Sequence, residues 1–190
     1  GDISATSYSG GSAQAIRAIA TYGYADITTS GELSATSTFS NAIGIVSIGF
    51  YGSSVSNSGN ISAESYTGFA AGMYLYSRLG EVYVSSTGDI SADSTYGLAY
   101  GITAIGGGGA EVNNSGDITA TSTYNLAYGI NTYAYSNDST INNDGNVSVT
   151  AYLDATGVRA KALYGYASID NTGDISVTSE DGIGYGLYAT

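Results

Sequence analysis

Apolar and hydroxyl-bearing residues alternate at positions 3–7, Ile-Ser-Ala-Thr-Ser, and the same alternation returns along the whole chain. Each return follows a glycine and an acidic or amide residue, with the glycine at 1, 31, 59, 88, 116, 145 and 173. Two residues past it stand Ile3, Leu33, Ile61, Ile90, Ile118, Val147 and Ile175. Two further on stand Ala5, Ala35, Ala63, Ala92, Ala120, Val149 and Val177, with Ser or Thr between. Successive side chains of a strand point to opposite faces, so this alternation predicts a strand with one buried side.

A second apolar column, Ile16, Ile45, Met73, Ile102, Ile130, Val158 and Leu187, runs through the middle of each unit. Glycine precedes it at Gly44, Gly72, Gly101, Gly129, Gly157 and Gly186, with Ala15 as the exception. Glycine inside a strand pattern marks a bulge or bend, so a corner between two stretches is expected here. A third strand carries Ile27, Val55, Val84, Val112, Ile141 and Ile169, four residues before each following glycine.

The leading glycines are 30, 28, 29, 28, 29 and 28 residues apart, which leaves no room for a linker or second domain. Consecutive hairpins would need two-residue turns at regular places, and none recur. Coiling the chain instead stacks Ile on Ile, Ala on Ala and Val on Val at about 4.8 Å per coil. The absence of proline fits, because each residue of such a coil can donate to its neighbour. The expectation is one all-β domain over 1–190, a parallel β-solenoid (β-helix) of 28–29 residues and three short strands per coil. Asn57, Asn114, Asn143 and Asn171 share a column two before the glycine. There asparagine is expected to take a left-handed turn and to stack its amides in a ladder.

Asn-Ser-Gly-Asp-Ile-Thr-Ala at 114–120 and Tyr-Gly-Leu-Ala-Tyr-Gly-Ile at 96–102 resemble passenger repeats of bacterial autotransporter-type, filamentous-haemagglutinin-like secreted adhesins. The likeness is one of repeat style and spans the chain. It implies a right-handed β-helix, in line with the general preference for right-handed crossovers. It also implies an extracellular or cell-surface location and a role as the shaft of an adhesin or fibre. No translocator barrel or secretion domain is visible, so the expected piece is a shaft segment of a longer chain, or a filament subunit.

Charge and composition narrow the chemistry. Sixteen acids against 4 bases give a net charge of −12, with no basic stripe to neutralise nucleic-acid phosphates. The chain has no Cys and no His, which excludes disulfides, thiol nucleophiles, imidazole bases and histidine-ligated zinc. The most apolar window, residues 42–50, is too short to span a bilayer, so no membrane insertion is expected.

Four candidate surfaces follow. The column Asp2, Glu32, Asn60, Asp89, Asp117, Asn146 and Asp174 offers a calcium ladder centred on Asp89 and Asp117, or simply caps turns and keeps the surface wet. Glu64 and Asp93 fall side by side, as a polysaccharide-cleaving β-helix enzyme would need, but a repeated column produces such pairs by itself. Outward Ser/Thr pairs such as Thr119 with Thr121 make a flat hydroxyl face of the kind seen in ice-binding solenoids. Nineteen tyrosines, with Tyr96 and Tyr124 in one column and Tyr100, Tyr128 and Tyr185 in another, offer a contact surface for glycans, proteins or another fibre. Packing between coils is the alternative. No catalytic residue and no cofactor are expected. Neither end carries a proline, a lysine cluster or an amphipathic helix as a cap, so like coils are expected to continue the stack.

Overall fold

The alternation sorts each coil into inward apolar and outward polar side chains, and every coil repeats the sorting. The computed structural model describes residues 1–190 as twenty strands and no helix. The first coil contributes Ile3–Ser7, Ala13–Ala20 and Tyr24–Thr29, and the order persists to Ile175–Ser179 and Gly184–Ala189. Equivalent strands of successive coils pair in parallel, forming a first and a second sheet of seven strands and a third of six. Ile90 pairs with Ile61 on one side and Ile118 on the other, so the leucine/isoleucine column is continuous. The chain is a parallel β-solenoid of about seven turns with three strands per coil.

The uneven intervals have a simple origin. First-sheet strands are all five residues and second-sheet strands eight in all but the last coil. The corner after the first strand spans residues 8–12 in the first coil, four residues in most coils, and only 152–154 in the sixth. The second corner also varies by one: twelve residues separate Ala70 from Val82, and eleven separate Ala99 from Ala110. Corners take up every odd residue, while the strands stay in register. The five-residue corner contains Gly10, the only residue of positive φ, at 90°.

A single hydrophobic interior runs along the axis through Leu33, Ile61, Ile90, Ile118, Ile45, Met73, Ile102, Ile130, Val55, Val84, Val112 and Ile141. Each is almost fully buried, worth about 1.5–3 kcal/mol per side chain. One inner column varies in step with its neighbour across the core. Leu75 accompanies Val82 in the third coil, whereas Ser47 accompanies Ser53 in the second and Thr132 accompanies Ser139 in the fifth. The Ser47–Ser53 and Thr132–Ser139 hydroxyls hydrogen-bond at 2.7 Å, so these four buried hydroxyls meet one another in pairs.

Two expectations need correction. The glycine column is not a corner between two stretches: Gly44 lies inside the single strand Ala42–Gly49, at a bend where the paired register steps from Ile43 directly to Ile45. A Cβ on Gly44 would sit 2.7 Å from the Gly72 carbonyl oxygen and overlap the Ile61 side chain. Glycine is there because the next coil's isoleucine fills that space. Nor do the column asparagines take left-handed conformations, since no residue other than glycine has a positive φ. Their place in the turn comes from their side chains.

Candidate functional site

The amide ladder forms as expected, inside the protein. Asn57, Asn114 and Asn143 are buried, and each Nδ2 donates to the glycine carbonyl two residues on, at 2.5–2.6 Å. The other Nδ2 hydrogen of Asn114 reaches Asn143 Oδ1 at 2.8 Å, and that of Asn143 reaches Asn171 Oδ1 at 2.7 Å. Ser86 breaks the ladder. Asn57 meets its hydroxyl at only 3.4 Å, and Asn114 Oδ1 is left buried without a donor.

A serine staple, unnoticed in the sequence, closes the first corner. Ser94 Oγ accepts from Gly97 N at 2.9 Å and donates to the Gly68 carbonyl of the preceding coil at 2.8 Å. Ser37, Ser122 and Ser179 do the same in their coils. Ala151 stands in that column beside the one three-residue corner. The signal was a near-invariant serine at the buried end of an alternating strand, where an outward hydroxyl needs no such constancy.

The Asp89–Asp117 column is occupied by the backbone. Asp89 Oδ1 accepts the Asp117 N–H at 2.9 Å, and Asp117 Oδ1 accepts the Asn146 N–H at 2.8 Å. Asp2, Asn60 and Asn146 bond to the next coil in the same way. Asparagine substitutes freely because the role is that of an acceptor, with no charge required. No group of three or more acidic side chains is placed to hold a metal ion.

On the first sheet's outer side, Thr36, Glu64, Asp93 and Thr121 follow one another in register, so the carboxylates do stand side by side. They lie on a flat sheet among hydroxyls. Shielding by its neighbours raises the Asp93 carboxyl above its ordinary range.

The tyrosines form two stacks. Along the first corner Tyr96 and Tyr124 lie nearly parallel, 5.0 Å apart, with Tyr66 edge-on to Tyr96 at 5.2 Å and Tyr152 tilted against Tyr124 at 6.4 Å. A hydrogen bond with Tyr66, and that ring's proximity, raise the Tyr96 hydroxyl. On the second sheet Tyr100 and Tyr128 stack at 5.4 Å and 11°. Tyr185 shares their column but Thr156 separates it from Tyr128. Tyr96 and Tyr124 stay about half exposed, at 49% and 52%, whereas Tyr100 and Tyr128 are half-buried. The most exposed rings are Tyr22 and Tyr166, both at 82% and at corners beside the third sheet, followed by Tyr8 at the first corner and Tyr164.

The third sheet also bears a groove of about 530 Å³, lined by Glu81, Glu111 and Asp138 and walled by Tyr83, Tyr164 and Tyr166. Asp138 there accepts the Tyr166 N–H at 2.8 Å. No family model, curated protein or solved structure matches this chain.

Proposed function

We propose that this chain is a non-enzymatic shaft of an extracellular bacterial adhesin or surface fibre, stacking end to end with like coils. The observation that carries the reading is the unbroken register: three sheets run the full axis with equivalent residues paired at every step. Such an array resists bending and stretching, because extension along the axis must break many backbone hydrogen bonds together. The same register supports the stacking reading, because every strand of a sheet carries the columns that an equivalent strand of another coil pairs with. The extracellular setting rests on the likeness to adhesin passenger repeats.

Electron microscopy of the purified chain and of the native material tests the reading. Unbranched fibres of one solenoid's width, with a meridional repeat of about 4.8 Å, are the expected result. Monodisperse short particles at every concentration, with no longer polypeptide in the native material, would refute it. Depolymerisation of an acidic polysaccharide that is lost on Glu64→Gln would replace it with the enzyme reading.

A further inference from the structure

The distribution of charge over the three faces differs sharply from the net charge. None of the 16 acids lies on any strand of the second sheet. Arg17, Arg159 and Lys161 all lie on its strands, and Arg78 immediately follows one. The same face carries an apolar cluster outside the core, in which Ile43, Val46 and Ala71 are buried beneath Ile48, Phe69, Tyr74 and Tyr100. Lys161 lies over the Tyr133 ring at 5.5 Å and Arg159 over Tyr188 at 5.8 Å. Two polar atoms of this face lack any partner: Thr103 Oγ1, in a residue only 4% exposed, and Arg159 Nε. The third sheet is the opposite. Its outward positions include Asp26, Glu81, Glu111 and Asp170, and its groove adds Asp138 between tyrosine walls.

We infer that the second sheet's outer face docks on the third sheet's outer face of a second copy of this chain, joining shafts side by side. Two second-sheet faces cannot serve each other, because bases would meet bases with no acid between them. Against the third sheet, Arg159 and Lys161 meet carboxylates, and the tyrosine-walled groove suits a guanidinium, which stacks on aromatic rings while bonding acids. The third sheet is the smaller of the two faces: six strands about 4.8 Å apart and five or six residues of about 3.3 Å give roughly 500 Å² per partner, the size of a weak, concentration-dependent contact. The contact is heterologous: in a joined pair one copy keeps its third sheet free and the other its second, so further shafts add in the same way. It needs no end-to-end stacking, and the residues involved lie on the flanks.

Two double variants test it, Arg159→Glu with Lys161→Glu, and Glu81→Lys with Glu111→Lys. All four positions are solvent-accessible, and circular dichroism checks that the variants keep the fold. Sedimentation at low salt and high micromolar concentration is expected to show wild-type association, its loss in either variant alone, and recovery on mixing them. Mixing restores association because the intact second sheet of one variant meets the intact third sheet of the other, and the two reversed faces again carry opposite charge. If fibres also form end to end, micrographs read the same test as width, with bundles for wild type and single shafts for each variant. Wild-type chains that stay laterally single, variants that associate as wild type does, or a mixture that recovers nothing would each overturn the inference.

Discussion

Replacing Ser86 by asparagine should stabilise the solenoid. In the wild type, the buried Asn114 Oδ1 has no donor, Asn57 reaches the Ser86 hydroxyl at 3.4 Å, and that hydroxyl reaches the Gly88 carbonyl at 3.4 Å. In the unbroken part of the ladder the corresponding bonds are 2.5–2.8 Å. An asparagine at 86 has the same backbone register as its neighbours in the column, because Ser86 pairs with Asn57 and Asn114 directly. Its Oδ1 accepts from Asn57, and its Nδ2 donates to Gly88 and to Asn114 Oδ1. Relieving one orphaned acceptor is worth about 1–3 kcal/mol, and ordering the longer side chain takes back a fraction of that. The expected gain is about 1–2 kcal/mol, a rise in melting temperature of roughly 2–8 °C for a chain of this size. Chemical denaturation and a thermal melt measure it, and hydrogen exchange at the third and fourth coils localises it. The opposite change, Asn143→Ala, removes three good bonds, orphans Asn171 Oδ1 and leaves an Asn114 Nδ2 hydrogen unpaired, for a loss of about 2–4 kcal/mol. An unchanged or lowered midpoint for Ser86→Asn, alongside a large loss for Asn143→Ala, would show that the serine gap is not a defect.

Gly101→Ala places a Cβ 2.5 Å from the Gly129 carbonyl oxygen and into the Ile118 side chain, for a loss of about 3 kcal/mol. Gly23→Ala, whose nearest neighbour is 3.9 Å away, should shift the denaturation midpoint by less than about 0.5 kcal/mol. Ile118→Ala empties a fully buried site between two coils and should lower stability by about 2–5 kcal/mol in the same assay. Because shielding raises the Asp93 carboxyl, the folded chain holds that proton more firmly than the unfolded chain does. Stability therefore falls as pH climbs from the ordinary carboxylate value through the raised one; Asp93→Asn should melt higher than wild type at neutral pH and equal it in strong acid. Burial raises the Tyr74 and Tyr100 hydroxyls above 10.0, so unfolding releases their protons and stability drops as pH passes that value. An ultraviolet titration should show a late-ionising class of tyrosines, reduced in Tyr74→Phe with Tyr100→Phe.

What the sequence disclosed depends on what repetition can average. The columns of Ile90 and Ile102 recur seven times and that of Val112 six times, so three strands per coil, their inward faces and their register were legible from spacing alone. The role of Gly101 was not, because a bend inside one strand and a corner between two leave the same glycine column. Only the position of the Ile118 side chain decides between them. The asparagines misled through a general tendency: the residue type tolerates left-handed turns, yet here a buried amide with two donors supplies what the turn lacks. The paired hydroxyls of Thr132 and Ser139 were invisible when each column was read by itself, since their logic runs across the coil. Tyr96 and Tyr124 were placed correctly in one column. That their faces close on each other depends on rotamers, which no column carries.

The corners that absorb one residue more or fewer, while every strand stays paired, separate two kinds of evolutionary change. Axial length can alter only in whole turns, because a partial unit would leave columns unmatched, whereas the perimeter can accept insertions of almost any size. A lineage of such proteins can therefore vary its flanks at residues 8–12 or 163–166 without changing its axial length.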